Sequence, residues 1–103
     1  MDLNYKNKKL EKYCESPNKA RAKYGDLIGK NLVKMIKKFK AAETLQDIKD
    51  LQSNGLHELN GDRKEEFAVK LTANWRLIFT VPTGEKNYKN INVIRIEKIE
   101  DYH

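Results

Sequence analysis

Apolar residues recur at two different periods along the chain, which predicts helices in the first half and strands in the second. The pair Ser16 and Pro17 is typical of a helix start, because the hydroxyl can cap the first turn and proline fits the first helical position. From there to residue 39 apolar side chains recur at helical spacing. They are Ala20, Tyr24, Leu27, Ile28, Leu32, Met35, Ile36 and Phe39. This stripe predicts one long helix that covers a sheet.

Shorter elements flank this helix. Residues 3–5 predict a first strand, followed by a brief helical or irregular stretch through Leu10 and Tyr13. Thr44 predicts the start of a second, shorter helix, with Asp47 at the position of the acidic partner in a capping box. The segment 53–55, Ser-Asn-Gly, predicts the end of that helix.

The second half of the chain alternates apolar and polar residues. Segments 67–71 and 75–81 show the two-residue period of half-buried strands, and the turn at 72–74 makes them a hairpin. A polar loop at 82–90 precedes a last strand, predicted at 91–99. Apolar residues on both faces of that strand predict an interior position in the sheet.

Helices that precede strands predict an α+β fold, a mainly antiparallel sheet of about four strands with two helices from the N-terminal half on one face. With 103 residues and no internal repeat or linker, a single domain of residues 1–103 is expected. The other face of the sheet would remain open to bind a partner. Lys70 and Arg76, opposite Leu71 and Trp75 in the alternation, are expected to point towards it.

Charge is divided unequally between the two halves. Residues 1–40 carry 12 Lys and Arg against 4 Asp and Glu, whereas residues 41–103 carry 9 against 11. A basic region predicts an anionic partner such as nucleic acid, because each neutralised phosphate releases counterions. A lysine-rich face that only keeps the protein soluble fits equally well. Charge alone therefore leaves both interpretations open.

Other features of the composition narrow the class of protein. No apolar run reaches the roughly 18 residues of a membrane span, and residues 1–6 lack the apolar stretch of a signal peptide, so a cytoplasmic protein without membrane contact is expected. Cys14 has no partner for an internal disulfide and is expected to be a small buried apolar group. The sequence has no residues at the spacing of metal ligands and no Gly-rich phosphate loop, so no metal and no cofactor are expected.

The candidate chemistry lies in His57 and in the last three residues, Asp101, Tyr102 and His103. Imidazole titrates near neutral pH, which makes both histidines candidates for acid–base catalysis. Metal-free RNA cleavage needs a base for the 2′-hydroxyl, an acid for the leaving 5′-oxygen, and cations for the phosphate. Simpler interpretations remain: a solvated His57, Tyr102 packed as core, and Trp75 as a core residue rather than a base-stacking platform. Arg63 and Arg76 could also pair with Asp62, Glu65 or Glu66 in surface salt bridges worth about 0–1 kcal/mol.

Three segments together resemble the HigB-like toxins of bacterial toxin–antitoxin systems, within the RelE/ParE superfamily. They are His57-Glu58-Leu59-Asn60-Gly61-Asp62-Arg63, Asn74-Trp75-Arg76-Leu77-Ile78-Phe79 and Glu100-Asp101-Tyr102-His103. The resemblance, which covers nearly the whole chain, implies a RelE-like fold and a ribosome-dependent mRNA endonuclease that cuts in the decoding site without a metal. It also implies an antitoxin partner that binds DNA through a helix-turn-helix and represses its own operon.

The resemblance also assigns roles to residues. It implies that His57, Asp101, Tyr102 and His103 are catalytic and that Arg76 stabilises the phosphorane. The family motif often reads His-x-Leu-Lys-Gly, and here Asn60 stands in the place of the lysine. The expected phosphate or RNA contacts are therefore Arg76, Arg63, Lys64 and Lys70, with Arg63 or Lys64 as the substitute for the missing lysine.

Three other functions fit parts of the sequence. A ParE-like gyrase poison would share the fold but would not need His57. A catalytically inactive module that binds only the antitoxin or the ribosome would inhibit translation equally well with His57→Ala. A DNA-binding protein could use the helical lysines Lys30, Lys34 and Lys37, although no convincing helix-turn-helix is present.

Overall fold

The computed structural model describes residues 1–63 and 65–102. Within these ranges the four α-helices are Lys8–Glu15 (α1), Pro17–Tyr24 (α2), Asp26–Ala41 (α3) and Leu45–Asp50 (α4). In the same ranges the five strands are Asp2–Tyr5 (β1), His57–Glu58 (β2), Phe67–Lys70 (β3), Trp75–Thr80 (β4) and Val93–Asp101 (β5). The predicted α+β class is confirmed, with more helices and one more strand than expected.

The single long helix predicted from residue 17 to residue 39 is wrong, because the chain breaks at Gly25. This glycine has a φ of 87°, in the left-handed region that favours glycine, and its N–H ends α2 by donating to the Arg21 carbonyl. The helices α2 and α3 then pack closely, since a Cβ at Gly29 would lie only 2.8 Å from the Arg21 backbone. The apolar stripe continues across the break, so the periodicity did not reveal it.

Helix α4 starts where the sequence predicts it, but it ends at Asp50, before the predicted end at 53–55, and it is not capped as expected. The Thr44 side chain makes no capping hydrogen bond within the described chain. The Asp47 carboxylate instead accepts from the N–H of Glu43, one residue further out, at 2.9 Å. The acidic residue therefore stabilises the start of the helix without a capping box.

The sheet has the strand order β1-β5-β4-β3-β2. Strand β1 runs parallel to β5, and the other pairs are antiparallel. Strand β5 therefore lies between β1 and β4, which confirms the predicted interior position. Strand β2 has only two residues and was not predicted, because so short a segment has no measurable period.

A β-bulge in β5 keeps Ile96 and Ile99 on the same face. Ile78 of β4 pairs with Lys98, whereas the next residue, Phe79, pairs with Ile96, so Glu97 is the extra residue. The alternation is thereby reversed, and Ile99 packs against the same core as Ile96.

The main core lies between the helices and one face of the sheet. Phe79 is fully buried, stacks on Phe67 and meets Phe39 edge-on, each with ring centroids 5.3 Å apart. Trp75 packs at the margin of this core, which confirms that it is a packing residue. Cys14 is buried as predicted, and burial raises the pKa of its thiol to about 12. None of the helices in the described ranges is long and apolar enough to span a membrane.

Candidate functional site

The face of the sheet opposite the helices carries only a small apolar cluster, and Tyr102 lies on it. Leu59, Ala68 and Ile78 are buried there, and the partly buried Tyr102 ring packs against them. The Tyr102 N–H donates to the Asn74 carbonyl at 2.6 Å, which holds the residue just beyond the end of β5. Tyr102 thus belongs to this open face, where His57 and Arg76 both lie close to its ring.

His57 lies close to Tyr102. It pairs with Ala68 across the β2–β3 ladder, and its ring centroid is 6.4 Å from that of Tyr102 in an edge-on arrangement. The His57 Nδ1 lies 3.0 Å from the Gly55 carbonyl oxygen. Because a carbonyl can only accept, this hydrogen bond requires a proton on Nδ1. The neutral ring then carries its lone pair on Nε2, which can accept a proton or, once protonated, donate one.

Arg76 is the second candidate close to Tyr102. Its guanidinium carbon is 5.8 Å from the Tyr102 ring centroid. Its Nη1 donates to the carbonyls of Thr72, Ala73 and Trp75 at 2.7, 3.1 and 3.1 Å. Among the described residues it has no carboxylate within salt-bridge distance. The turn therefore fixes this arginine in place while its positive charge stays available to an anion.

Lys70 lies next to Arg76 across the β3–β4 ladder. The two residues are direct partners in the register, so their side chains share one face of the sheet. Lys70 is exposed, whereas its neighbour Leu71 is buried in the main core. This agrees with the expectation that Lys70 and Arg76 point to the open face, and it places a second cation next to Arg76.

Arg63 is held by two carboxylates. Its Nε donates to Glu66 at 2.6 Å, and its two terminal nitrogens donate to Glu100 at 2.7 and 3.0 Å. Lys98 lies 3.2 Å from the same Glu100 carboxylate. The Arg63 hydrogen bonds lower the pKa of the Glu100 carboxyl, so this carboxylate stays ionised. The salt-bridge interpretation is thus confirmed for Glu66, and Arg63 connects the Gly61–Arg63 turn to β5.

On the open face, these ion pairs balance the charges of Arg63 and Lys98 but not the charge of Arg76. Two cations, Arg63 and Lys98, meet two carboxylates, Glu66 and Glu100. Although Glu100 is the direct register partner of Arg76, its carboxylate is engaged by Arg63. A phosphate at Arg76 would therefore meet less repulsion from Glu100 than the sequence alone suggests.

Asp101 lies on the other side of the sheet. It pairs with Trp75, whose side chain packs against the main core, so the register places Asp101 on the face opposite Arg76. Asp101 is exposed there at the end of β5. The described structure thus brings His57, Tyr102, Arg76 and Lys70 to one face but not Asp101. The predicted roles of Lys64 and His103 fall outside the described residues.

Sequence reasoning missed the main-chain part of this site. The carbonyls of Gly55, Thr72 and Ala73 orient His57 and Arg76, and no side-chain pattern announces such contacts. The available signal for this main-chain arrangement was the glycine at position 55. Gly55 has a left-handed φ of 64° and marks a sharp turn two residues before His57. Among the described residues, no three His, Cys, Asp or Glu side chains are grouped to hold a metal ion.

Several solved structures of bacterial proteins share this fold. The YoeB/ParE toxin from Agrobacterium tumefaciens is 12% identical with a TM-score of 0.58, and the similarity covers 100% of both chains. A YoeB–YefM complex from Staphylococcus aureus gives 16% identity and a TM-score of 0.58 over 100% of this chain and 97% of the other. A YafQ mutant from E. coli is 15% identical with a TM-score of 0.55, and the similarity covers 97% of this chain and 91% of the other. At these identities the likeness establishes the fold alone.

Fold and sequence together define a RelE-like toxin. The profile of the HigB-like toxins, described as RelE-like toxins of the type II toxin–antitoxin system HigB, matches residues 3–98. The chain therefore belongs to the HigB-like toxin family, as the resemblance predicted. No curated protein sequence matches it.

Proposed function

We propose that this type II toxin is a ribosome-dependent mRNA endonuclease that cuts in the decoding site by metal-independent attack of the 2′-hydroxyl. The observation that carries the proposal is that His57 and Arg76 both lie close to the Tyr102 ring. This arrangement supplies a proton-transfer group and a fixed cation on one open face. Membership in a family of RelE-like toxins, which are generally endoribonucleases, supports the same reaction.

The proposed reaction uses two proton transfers. A base removes the 2′-hydroxyl proton as that oxygen attacks the phosphorus, and an acid protonates the 5′-oxygen as its bond to phosphorus breaks. The Nε2 of His57 serves one of these steps, and His103 serves the other. Asp101 orients a histidine or acts as the base itself.

The cations and the aromatic ring complete the proposed site. Arg76 and Lys70 stabilise the negative charge that develops on the phosphorane. Arg76 needs little reorganisation during the reaction, because the turn already holds it. Tyr102 stacks on, or hydrogen-bonds to, the nucleotide beside the cleaved bond. Lys64 is proposed as a further phosphate contact. Arg63 could join it only by exchanging a carboxylate partner for a phosphate.

The ribosome is proposed to position the message. The described face is open, so it offers little to hold a flexible RNA strand, and correct orientation can supply several kcal/mol of barrier lowering. The basic first 40 residues would steer the protein to ribosomal RNA in a salt-dependent manner. This substrate implies action in the cytoplasm.

An antitoxin is the second proposed partner. The similar Staphylococcus aureus structure is a complex of YoeB with YefM. By analogy, we propose that this chain binds an antitoxin whose helix-turn-helix represses the shared operon. Co-expression of the toxin with the neighbouring gene product should restore growth and yield a complex that co-purifies.

The test of the cleavage proposal is end mapping of a defined mRNA on stalled ribosomes. Untagged protein should create new ends within the decoding-site codon, with a 2′,3′-cyclic phosphate on the upstream fragment. A matched mRNA with a 2′-deoxy nucleotide at the cleaved position should stay intact. Growth arrest without new RNA ends would overturn the proposal. Gyrase cleavage complexes in the same cells would then indicate a ParE-like poison, and unbroken but stalled messages would indicate a binding-only module.

A further inference from the structure

Asn54 is a buried amide in an otherwise exposed turn. It is 2% exposed and is the one buried polar residue within 1–63 and 65–102. Its neighbours Leu51, Gln52, Ser53 and Gly55 are all exposed. This turn therefore contacts the interior through the Asn54 side chain.

Both ends of the Asn54 amide are hydrogen-bonded. The Lys38 ammonium of α3 donates to Oδ1 at 3.1 Å, and Nδ2 donates to the Ile48 carbonyl near the end of α4 at 3.1 Å. Burying an amide is costly, and hydrogen bonds offset this cost with little net gain in stability. The main effect of a satisfied buried amide is to select one local conformation. The conformation selected here is that of the turn before β2.

The turn leads directly to His57. Gly55 is left-handed, and a Cβ at this position would lie 3.3 Å from the Lys70 Cβ, so the turn rests against β3. The Gly55 N–H donates to the Gln52 carbonyl at 3.1 Å, while its own carbonyl oxygen is 3.0 Å from the His57 Nδ1. Gly55 thus connects Asn54 directly to the carbonyl that fixes the His57 imidazole.

We propose that Asn54, held by Lys38, is a positioning residue that fixes the tautomer and orientation of His57 through the Gly55 carbonyl. With the turn in place, neutral His57 keeps its proton on Nδ1 and presents the Nε2 lone pair to the substrate. Without it, the ring populates both tautomers and rotates more freely. The catalytic meaning of this inference rests on the proposed nuclease function, but its structural content concerns the free protein.

Two-bond ¹H–¹⁵N NMR of the imidazole rings tests the inference directly, because it reports which nitrogen carries the proton. The chain has two histidines, so a His57→Gln variant assigns the signals. At a pH where His57 is neutral, the wild type should show a protonated Nδ1 and an unprotonated Nε2. Asn54→Leu and Lys38→Met should both increase the population of the Nε2–H tautomer. Lys49→Met, which removes an exposed lysine of α4 outside this network, should leave the wild-type pattern.

Cleavage on the ribosome is the second measurement. Asn54→Leu and Lys38→Met should lower the single-turnover rate by about 3- to 10-fold, less than the roughly 10²-fold or greater loss expected on removing a proton-transfer group. Lys38 is exposed, so Lys38→Met decides the question if Asn54→Leu does not fold. An unchanged tautomer in folded Lys38→Met protein would overturn the inference even if the wild type cleaves mRNA. Absence of cleavage by the wild type, with the tautomer shift observed, would overturn only the nuclease proposal.

Discussion

The two faces of the sheet are stabilised in different ways. The face under the helices buries large side chains such as Phe39, Leu77 and Phe79 with no exposed area. The opposite face buries only a small cluster beneath Tyr102 and carries cations and carboxylates. Stability is therefore concentrated on one face, which leaves the other free to hold polar groups in arrangements that do little for folding.

Polar groups on the open face are nevertheless fixed in position. Three main-chain carbonyls hold Arg76, one carbonyl holds His57, and two carboxylates hold Arg63. The difference between these anchors has a functional meaning. Carbonyls orient Arg76 without an opposite full charge, whereas carboxylates balance the charge of Arg63. We therefore expect Arg76 to serve the phosphate and Arg63 to serve the structure.

The largest expected effect is on the helical side of the sheet. Phe79→Ala should lower the free energy of unfolding by about 3–5 kcal/mol, because it leaves a cavity between Phe39 and Phe67. Urea denaturation followed by circular dichroism measures this change. Thr80→Ala, one residue further along β4, provides a milder control. A loss below about 1 kcal/mol would show that this core is loosely packed and would weaken the contrast between the faces.

Arg76→Gln should have the opposite pattern. Loss of the fixed cation should lower the cleavage rate by about 10²-fold or more, whereas the melting temperature should change little because the residue makes no described ion pair. Single-turnover cleavage on programmed ribosomes measures the rate. Arg95→Gln, which removes the same charge from an exposed position on β5, is the matched control and should stay within a few-fold of the wild type. An equal loss of cleavage rate in Arg76→Gln and Arg95→Gln would indicate that cleavage depends only on the net charge of the protein.

Arg63→Met should behave as a structural change of moderate size. Removing the hydrogen bonds to Glu66 and Glu100 should cost about 1 kcal/mol of stability, since these side chains are partly exposed. Cleavage by the folded variant should fall less than in Arg76→Gln. A large loss of cleavage at unchanged stability would instead make Arg63 the phosphate contact that replaces the missing lysine.

The smallest expected effect concerns pH. The Arg63 hydrogen bonds lower the pKa of Glu100 in the folded state, so this interaction stabilises the fold above the unfolded carboxyl pKa of about 4.3 and is lost as the pH falls through the folded value. At pH 7 the wild type should exceed Glu100→Gln in stability by less than about 1 kcal/mol, because the pair is partly exposed. Denaturation between pH 7 and pH 3 should show this difference shrinking. A difference that grows towards acid would contradict the assignment.

Much of the fold followed from periodicity, and the exceptions have physical causes. The hairpin of β3 and β4 was predicted because its alternation is long enough to read. The break at Gly25 was missed because a single glycine interrupts the backbone without disturbing the apolar stripe. The parallel pairing of β1 with β5 joins residues about 90 positions apart, and no local pattern encodes such a contact.

The site was predictable only in part. Resemblance to a family suggested His57, Tyr102 and Arg76, but their approach to one another depends on the register of the sheet. The pairing of Arg63 with Glu100, 37 residues away, could not be read from the sequence, although the pairing with Glu66 was one of the alternatives. Main-chain anchors such as the Gly55 carbonyl have no signature in side-chain identity.

The most direct test of the central claim, that the open face carries out RNA cleavage, is the single-turnover cleavage rate of His57→Gln on ribosomes, measured beside its thermal stability. His57 is exposed, so the variant should fold and melt like the wild type. The cleavage rate should be lower by about 10²-fold or more, because the variant lacks a proton-transfer group. A rate equal to that of the wild type in a fully folded variant would show that His57 takes no part in cleavage and that the chemistry lies elsewhere.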